Sequence, residues 1–271
     1  MIGAKAFERL YRERSEALHE LAKELPDRPT ASDIHDLRVT ARRLQVMGRL
    51  LPRRMRGSPA TARFETSLKS VLKATSQLRD LDTLLETLGP YRKTLSQDVF
   101  DRLENQRSDA AARAGVASSL LVDVPAPSPA ASGMRGKKLS RRLRKSIRKH
   151  GREASGLLER VAQDESRVAE LHALRKEVKK LRYLCELADD TPRELGVLAK
   201  WQDSLGAVHD VDVALEFVRG SSDELRGMAA TQMERARHTN YAKFLEEYRV
   251  DSVETIRKSK MLAVGSILPT S

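Results

Sequence analysis

A ten-residue pattern occurs twice in this chain of 271 residues, and the internal repeat restricts the fold more than any other sequence feature. The first copy is HDLRVTARRL (residues 35–44), and the second is HALRKEVKKL (residues 172–181). A second pair of matching segments, QLRDLDTLLETL (77–88) and AVHDVDVALEFV (207–218), follows the first pair in the same order. Two matched pairs in one order predict the duplication of a whole structural unit.

On a helix, where successive residues are about 100° apart, the repeated segment has two faces. Aliphatic side chains share one face, and the histidine and basic side chains form a narrow stripe on the other. The stripe contains His35, Arg38, Arg42 and Arg49 in the first copy, and His172, Arg175, Lys179 and Arg182 in the second. Like charges at this spacing repel by roughly 0.2–0.5 kcal/mol per pair, so a stripe of one sign indicates a bound anion. The alternative is that each stripe is a solvated outer face.

Proline and glycine residues separate stretches of helical periodicity, so we predict an all-α protein of two tandem four-helix bundles. The first bundle covers residues 1–121, a linker rich in proline and small residues covers 122–136, the second bundle covers 137–250, and 251–271 form a tail. We expect Ser32 or Asp33 to cap the second helix. The helices are predicted at about 7–25, 32–51, 60–88, 96–121, 139–158, 166–188, 193–218 and 223–249.

The balance of charge favours a polyanionic partner. The chain has 50 Lys and Arg residues against 38 Asp and Glu residues, a formal net charge of +12. Nucleic acid, an acidic membrane surface and polymeric phosphate all fit such an excess. Residues 135–152 hold ten basic residues, among them Arg141 and Lys145, and no acidic residue. An apolar seam predicts a helix here that both packs and binds, with a nucleic-acid arm or a plain basic helix as alternatives; the seam is Leu139, Leu143, Ile147 and Ala154.

The sequence indicates a cytoplasmic protein without disulfides. Its one cysteine, Cys185, falls on an apolar helix face, where we expect it to pack as a small hydrophobic residue. The first 23 residues are charged throughout and lack the apolar core of a signal peptide. No stretch of the sequence is long and apolar enough to span a bilayer.

Aspartates of the second repeated segment have three candidate roles: orienting arginines or histidines, binding a metal, or acting as general bases. These aspartates are Asp80, Asp82, Asp210 and Asp212. We favour the first role, because a cluster of guanidinium groups needs carboxylates to hold its rotamers. His35-Asp36 and His209-Asp210 resemble the dipeptide of HD-type metal-dependent phosphohydrolases, but on a helix Asp36 points about 100° away from His35. We therefore predict a binding protein with no catalytic residue, metal or cofactor.

Non-specific nucleic-acid binding is the closest alternative function. Proteins that bind single strands stack bases on aromatic side chains, and Tyr183 is the main candidate beside the stripes. Trp201 is predicted to pack in a bundle core. The sequence contains no helix-turn-helix, zinc finger or recognisable RNA-binding module. We still expect weak, non-specific nucleic-acid binding at low salt, because any basic surface attracts phosphates.

The two histidine segments, together with QLRDLDTLL and LGAVHDVDVAL, resemble the CHAD domain (conserved histidine α-helical domain) over about residues 7–248. The pattern H-x-L-R-x-x-x-[RK]-[RK]-L with a later [RH]-D-x-D in each half is fairly specific to this family. The resemblance implies two four-helix bundles related by approximate two-fold symmetry, with basic residues lining a central pore or cleft. Members of the family bind inorganic polyphosphate, and some associate with polyphosphate granules.

The resemblance also implies which residues contact polyphosphate: His35, Arg38, Arg42, Arg43, Arg49, His172, Arg175, Lys179, Lys180 and Arg182. The alternative for each histidine is that it only orients the start of its helix. Gln45 stands where the second copy has Arg182, so we expect the first copy to bind its anion slightly more weakly at this position. Many relatives carry a triphosphate-tunnel domain with a Glu-x-Glu-x-Lys signature; this sequence has no such segment, which argues against triphosphatase activity.

Reversing the charge of Arg38 together with Arg175 is expected to abolish anion binding. Because the stripe repels itself, we expect the double substitution to leave the fold intact or to stabilise it.

Overall fold

The computed structural model describes residues 2–129, 133–188, 192–220 and 226–252. Within these ranges every regular element is a helix, which confirms the all-α prediction. The α-helices are α1 (Ala4–Lys23), α2 (Ala31–Gly48), α3 (Arg53–Arg56), α4 (Pro59–Leu88), α5 (Gln97–Val122), α6 (Gly136–Val161), α7 (Val168–Ala188), α8 (Pro192–Gly220) and α9 (Arg226–Ser252). A 3₁₀ turn, Gly89–Tyr91, follows α4. None of the described helices has the length and apolarity needed to cross a bilayer.

The eight predicted helices are all present, with ends within three residues of the predicted ones. Sequence periodicity missed only α3, a single turn between Pro52 and Gly57 that is too short to show a repeat. Several predicted boundaries lie outside the described residues: 130–132 of the linker, 189–191, 221–225, and the tail from 253 onwards.

Helix α2, which carries the first histidine segment, begins with a capping box at Thr30. The Thr30 side chain accepts a hydrogen bond from the Asp33 N–H at 3.2 Å, and the Asp33 carboxylate accepts one from the Thr30 N–H at 2.7 Å. The prediction that Ser32 or Asp33 is the N-cap is therefore wrong, because both lie within the first turn. The hydrogen bonds from the backbone and side chain of Thr30 lower the pKa of Asp33.

Helix α2 ends at Gly48, three residues before the predicted end at Leu51. The N–H groups of the next two leucines bond to carbonyls three residues back, which tightens the chain into a 3₁₀-like turn. Pro52 follows, and a residue before proline is disfavoured in the α conformation. Arg49 is the exposed C-cap residue of α2 and keeps α-helical backbone angles, so its place on the stripe stays a prediction.

The structure divides into two compact units. The first unit contains Ile2–Gly89 and Ser96–Ser140, and in it α1 packs against α2 and α5, while α4 packs against α2, α3 and α5. The second contains Pro90–Leu95 and the described residues from Arg141 onwards, and in it α8 packs against α7 and α9. The predicted domain limits and the two-fold relation between bundles stay predictions.

Each histidine segment lies on a helix with a fully buried aliphatic face. On α2 the buried face is Ile34, Leu37, Ala41, Leu44 and Met47. On α7 it includes Leu171, Leu174, Val178, Leu181 and Cys185. Burial of one such large side chain stabilises the fold by about 1.5–3 kcal/mol, so these faces fix the rotation of both helices. The predicted apolar side of the repeat is confirmed.

A hydrogen bond and an aromatic pair connect helices of the second unit. Helix α6 is joined to α9 by the Tyr241 hydroxyl, which donates to the Val161 carbonyl. Trp201 is buried on α8 and meets Tyr248 of α9 edge to face at 5.8 Å, which confirms its predicted place in the core.

Replacement of Thr30 by alanine should lower the free energy of unfolding by about 1 kcal/mol, because the Asp33 N–H loses its side-chain acceptor. Urea denaturation followed by circular dichroism measures the loss. Ser32→Ala is the matched control: Ser32 is exposed in the first turn, and its loss should change stability by less than about 0.5 kcal/mol. An equal loss in both variants would contradict the assigned cap.

Candidate functional site

In each unit, an arginine from the last helix binds the second aspartate of the Asp-x-Asp segment. Arg107 Nε on α5 donates to Asp82 Oδ1 on α4 at 2.6 Å. Arg237 Nε on α9 donates to Asp212 Oδ1 on α8 at 2.5 Å. Both carboxylates are buried, with side chains 6% and 7% exposed, so an unpaired charge there would be strongly unfavourable. We call each Asp–Arg pair an arginine clamp.

Each arginine clamp also reaches the chain just before the histidine segment. Arg107 Nη2 donates to the Pro29 carbonyl at 2.7 Å, and Arg237 Nη2 donates to the Glu165 carbonyl at 2.8 Å. The last helix, the Asp-x-Asp helix and the start of α2 or α7 are thereby joined. Neither arginine was predicted from the sequence, although each follows its aspartate by 25 residues, a shared spacing that could have indicated the pair.

In the second unit the clamp carboxylate also binds the motif histidine. His172 Nε2 lies 3.1 Å from Asp212 Oδ2 and 2.9 Å from His209 Nδ1. The two imidazole rings meet edge to face at 4.2 Å. Burial raises the pKa of Asp212, but the hydrogen bonds from His172 and Arg237 outweigh burial, and the net shift is downward. Asp212 therefore stays ionised between two donors.

The first unit lacks the equivalent histidine contact. Asp82 Oδ2 is buried with no hydrogen-bond partner, and His35 is exposed with no hydrogen bond to the described part of the chain. In the aligned repeat, Arg79 stands where the second copy has His209. The two motif histidines thus have different surroundings: His172 is held by α8, and His35 faces solvent.

Arg38 and Arg175, at equivalent positions of the repeat, both lie against the Asp-x-Asp helix of their unit. Arg38 Nη1 donates to the Leu72 carbonyl at 2.9 Å and to Thr75 Oγ1 at 3.0 Å. Arg175 Nε lies 3.8 Å from where a Cβ on Gly206 would be, and it is buried without a partner. Arg38 therefore contributes to the packing of α2, and the expectation that its charge reversal leaves the fold intact is revised.

Positions near the end of each motif segment differ in their partners. Arg42 donates to Gln45 Oε1 at 3.0 Å, so the residue that replaces Arg182 in the first copy positions a neighbouring cation. Arg182 lies 3.7 Å from Glu186, and its guanidinium lies 5.6 Å from the Tyr183 ring centroid. Tyr183 is only 3% exposed, so a base has no access to its ring. Its assignment as a stacking residue is therefore wrong.

Lys180 lies on a different side of α7 from His172. It donates to Glu177 Oε1 at 2.5 Å, and together with Lys176 it lines a groove between α6 and α7. The groove has a volume of about 510 Å³, and α6 contributes Arg152 and Arg160 to its walls. The cations of α7 thus divide between the α8 side and the α6 side. Lys179 and Arg43 are half-buried, Asp210 is half-buried and Asp80 is exposed.

Helix α6 carries the largest excess of positive charge among the described helices. It has ten Lys and Arg residues against two Glu residues along 26 residues. Arg141 and Lys145 are exposed on it. The predicted apolar seam is confirmed, because its four members are at most 8% exposed: Leu139, Leu143, Ile147 and Ala154. The buried apolar seam of α6 therefore fixes the orientation of its long cationic face.

One group of described side chains has spacing suited to a metal ion. His150, Glu153 and Glu177 offer ligand atoms within 4.8 Å of one another. Glu177 already accepts hydrogen bonds from His150 Nδ1 at 2.6 Å and from Lys180. Burial raises the pKa of Glu177, but these two donors outweigh burial and lower it. Protein donors therefore satisfy this carboxylate, and the group works as a polar link between α6 and α7.

These features define a class: an all-helical protein of two units, each with a basic histidine segment fixed by an arginine clamp. The family model of the CHAD domain matches residues 14–219, so the chain belongs to the CHAD domain family. The resemblance inferred from the histidine segments is thereby confirmed.

Among solved structures, the crystal structure of the CHAD domain from the plant Ricinus communis matches with a TM-score of 0.57. The two are 20% identical, and the match covers 93% of this chain and 88% of that chain. A likeness at this identity supports the fold alone. No curated protein sequence matches the chain.

Replacing Arg237 by methionine should lower the free energy of unfolding by about 3 kcal/mol, because it leaves the Asp212 charge buried without its main partner. Urea denaturation measures the effect, with Arg102→Met as the control. Arg102 is exposed and bonds only within its own helix, so its loss should change stability by less than about 0.5 kcal/mol.

The clamp also predicts a pH dependence. The pKa of Asp212 lies below its ordinary value of 3.8, so its stabilisation is present above that pH and is lost as the pH falls through the folded-state pKa. The difference in stability between wild type and Arg237→Met should therefore narrow below pH 3.8. A difference that is constant down to lower pH would contradict the assigned ion pair.

Arg38→Met should destabilise the protein by about 1–2 kcal/mol, because two hydrogen bonds from α2 to α4 are lost. Arg49→Met removes the same charge from an exposed position and should leave the melting temperature nearly unchanged. Thermal unfolding of both variants in one buffer makes the comparison. Equal melting temperatures would show that Arg38 has no role in packing.

Proposed function

We propose that this protein binds inorganic polyphosphate through the basic faces of α2, α6 and α7, as a binding module without catalytic activity. We further propose that binding serves association with polyphosphate granules or their regulation. Membership of the CHAD domain family and a net charge of +12 both support a polyanionic ligand. The observation that carries the proposal is the cationic face of α6.

Helix α6 suits a linear polyanion better than a compact one. At about 1.5 Å per residue, its 26 residues extend over roughly 39 Å, and cations are present along most of that length. Polyphosphate has a phosphate in every repeat and no bases, so a protein that binds it needs only positive charge and N–H donors. Arginine offers a planar fork for two phosphate oxygens, and lysine offers a mobile point charge.

The histidine segments support the same ligand. The clamp aspartates are bound to arginines of α5 and α9, so these buried carboxylates serve the interior of each unit. Arg175 makes no ion pair within the described ranges, and Arg49 is exposed. Cations of one sign that repel one another are stabilised when an anion binds between them. The repeat supports the view that both units are duplicated four-helix bundles, each with a basic segment.

Polyphosphate is preferred over nucleic acid because Tyr183, the main aromatic candidate beside the stripes, is buried. Without base stacking on Tyr183, nucleic acid would bind through its phosphates alone, and such binding weakens steeply with salt. A metal-dependent hydrolase is not proposed, because the Asp212 carboxylate oxygens already accept hydrogen bonds from Arg237 and His172.

Titration with polyphosphates of increasing length at physiological salt tests the proposal. We expect affinity to rise with chain length, because more phosphates contact the basic face, and to survive a mass excess of DNA or RNA. Fluorescence anisotropy of an end-labelled polyphosphate measures the affinity. Equal or stronger competition by nucleic acid would overturn the assignment.

Paired substitutions separate a specific face from overall charge. Arg141→Gln with Lys145→Gln removes two positive charges from α6, and we expect about tenfold weaker binding, because charge-assisted contacts are lost. Arg9→Gln with Arg12→Gln removes the same charge from α1, where both arginines are about 69% exposed and paired with glutamates. An equal loss in both pairs would mean that only net charge matters.

A further inference from the structure

A chain of polar groups in the second unit ends in an imidazole nitrogen with no protein partner. Asp212 Oδ2, His172 Nε2 and His209 Nδ1 follow one another at 3.1 and 2.9 Å. The remaining ring nitrogen, His209 Nε2, has no hydrogen bond to the described part of the chain. This series of hydrogen bonds begins at the carboxylate of Asp212, whose other oxygen is bound by Arg237.

The hydrogen-bonding capacity of each group determines where the protons lie. An ionised carboxylate can only accept, so the proton between Asp212 and His172 is on His172 Nε2. His172 Nε2 also lies 2.9 Å from His209 Nδ1, and a protonated ring nitrogen cannot accept a hydrogen bond, so His209 Nδ1 is the acceptor. A neutral imidazole carries one N–H, so the proton of His209 lies on Nε2. The contacts with Asp212 and His172 therefore select one tautomer of His209.

The surroundings of His209 keep it neutral. Burial, then the charges of Arg175 and His172, lower its pKa to about 4, against the opposing effect of Asp212. Lys176 of α7 acts in the same direction as Arg175. Asp210 on α8 and Arg237 on α9 are the other charged groups nearby, and Arg237 is already bound to Asp212. At physiological pH the residue is thus a neutral donor.

His209 also lies close to a cation of the histidine segment. Arg175 approaches α8 at Gly206, one helical turn before His209, and the buried Nε of Arg175 has no partner. An oxygen-rich anion at this seam between α7 and α8 would meet a fixed charge and an oriented N–H together. The first unit has Arg79 at the equivalent position, which is a donor that is always charged.

We propose that His209 is a phosphate-binding residue that donates its Nε2–H to a phosphate oxygen, with Asp212 and His172 holding it in the required tautomer. The proposal rests on the proposed function, and it adds a residue that the histidine segment does not contain. Binding in the second unit then combines the charge of Arg175 with a neutral donor, whereas the first unit has a second charge at that position.

Two substitutions of His209 distinguish a donor from a packing residue. In His209→Gln the side-chain amide nitrogen can occupy the position of Nε2, whereas in His209→Asn it can reach only the position of Nδ1. We expect His209→Asn to bind polyphosphate of fixed length about tenfold more weakly, because a hydrogen bond to a charged group is lost. His209→Gln should stay within about twofold of wild type. Isothermal titration calorimetry measures both, and thermal unfolding checks that both variants are folded.

The pH dependence distinguishes a neutral donor from an imidazolium. The ratio of wild-type to His209→Asn affinity should be constant between about pH 6 and pH 8, because the donor carries no charge in that range. Long-range ¹H–¹⁵N spectra of histidine-labelled wild type should show the Nε2–H tautomer and a change at this nitrogen when polyphosphate is added. This measurement needs no variant, so it stands even if a substitution disturbs folding.

The outcomes separate this inference from the proposed function. If wild type binds polyphosphate and His209→Asn binds equally well, the role of His209 is overturned and the proposed function stands. A ratio that grows as the pH falls, or the other tautomer, also overturns it. If wild type does not bind polyphosphate, the proposed function itself fails, and this inference fails with it.

Discussion

The arginine clamp is the interaction on which the rest of each unit depends. It places a buried carboxylate and a guanidinium together at 2.6 Å in the first unit and 2.5 Å in the second, and it ties both to the carbonyl before the motif helix. A buried charge is tolerated only when it is paired and hydrogen-bonded, so the three elements must meet in one arrangement. The aliphatic faces of α2 and α7 set the rotation of each helix, and the clamp holds the backbone that precedes it.

The same frame serves two different polar environments. In the second unit the free oxygen of Asp212 binds His172, and the contact continues to His209. In the first unit the corresponding oxygen of Asp82 has no partner, and His35 is exposed. Both units therefore contain the clamp and the basic segment, whereas the two motif histidines have different surroundings. Equal sequence motifs do not imply equal roles here, because a histidine depends on what the neighbouring helix offers.

The cations of α7 lie on two surfaces, one toward α8 and one toward α6, and a helical wheel of α7 alone does not distinguish them. His172 and Arg175 lie toward α8, whereas Lys176 and Lys180 line the groove beside α6. Helix α6, with ten cations against two carboxylates, contributes more net charge than either motif helix. Under the proposed function, a polyanion would contact an extended basic region on α6 and α7, of which the histidine segment is one part. The length of α6 is the reason why we propose a linear polymer and not a small anion as the ligand.

The sequence by itself determined the helices and their buried faces, because helical periodicity and proline or glycine breaks are local properties. The repeated motifs in the sequence also identified the family. Only the tertiary structure decided the partners of the polar side chains. The clamp arginines bind carbonyls 78 and 72 residues away, and no local pattern encodes such a contact. Neighbouring helices also determine that Tyr183 is buried and that Arg38 contributes to packing. They also give His35 and His172 different surroundings. The role of a charged or polar side chain depends on the groups that pack against it, and those groups are set by the tertiary packing of the helices.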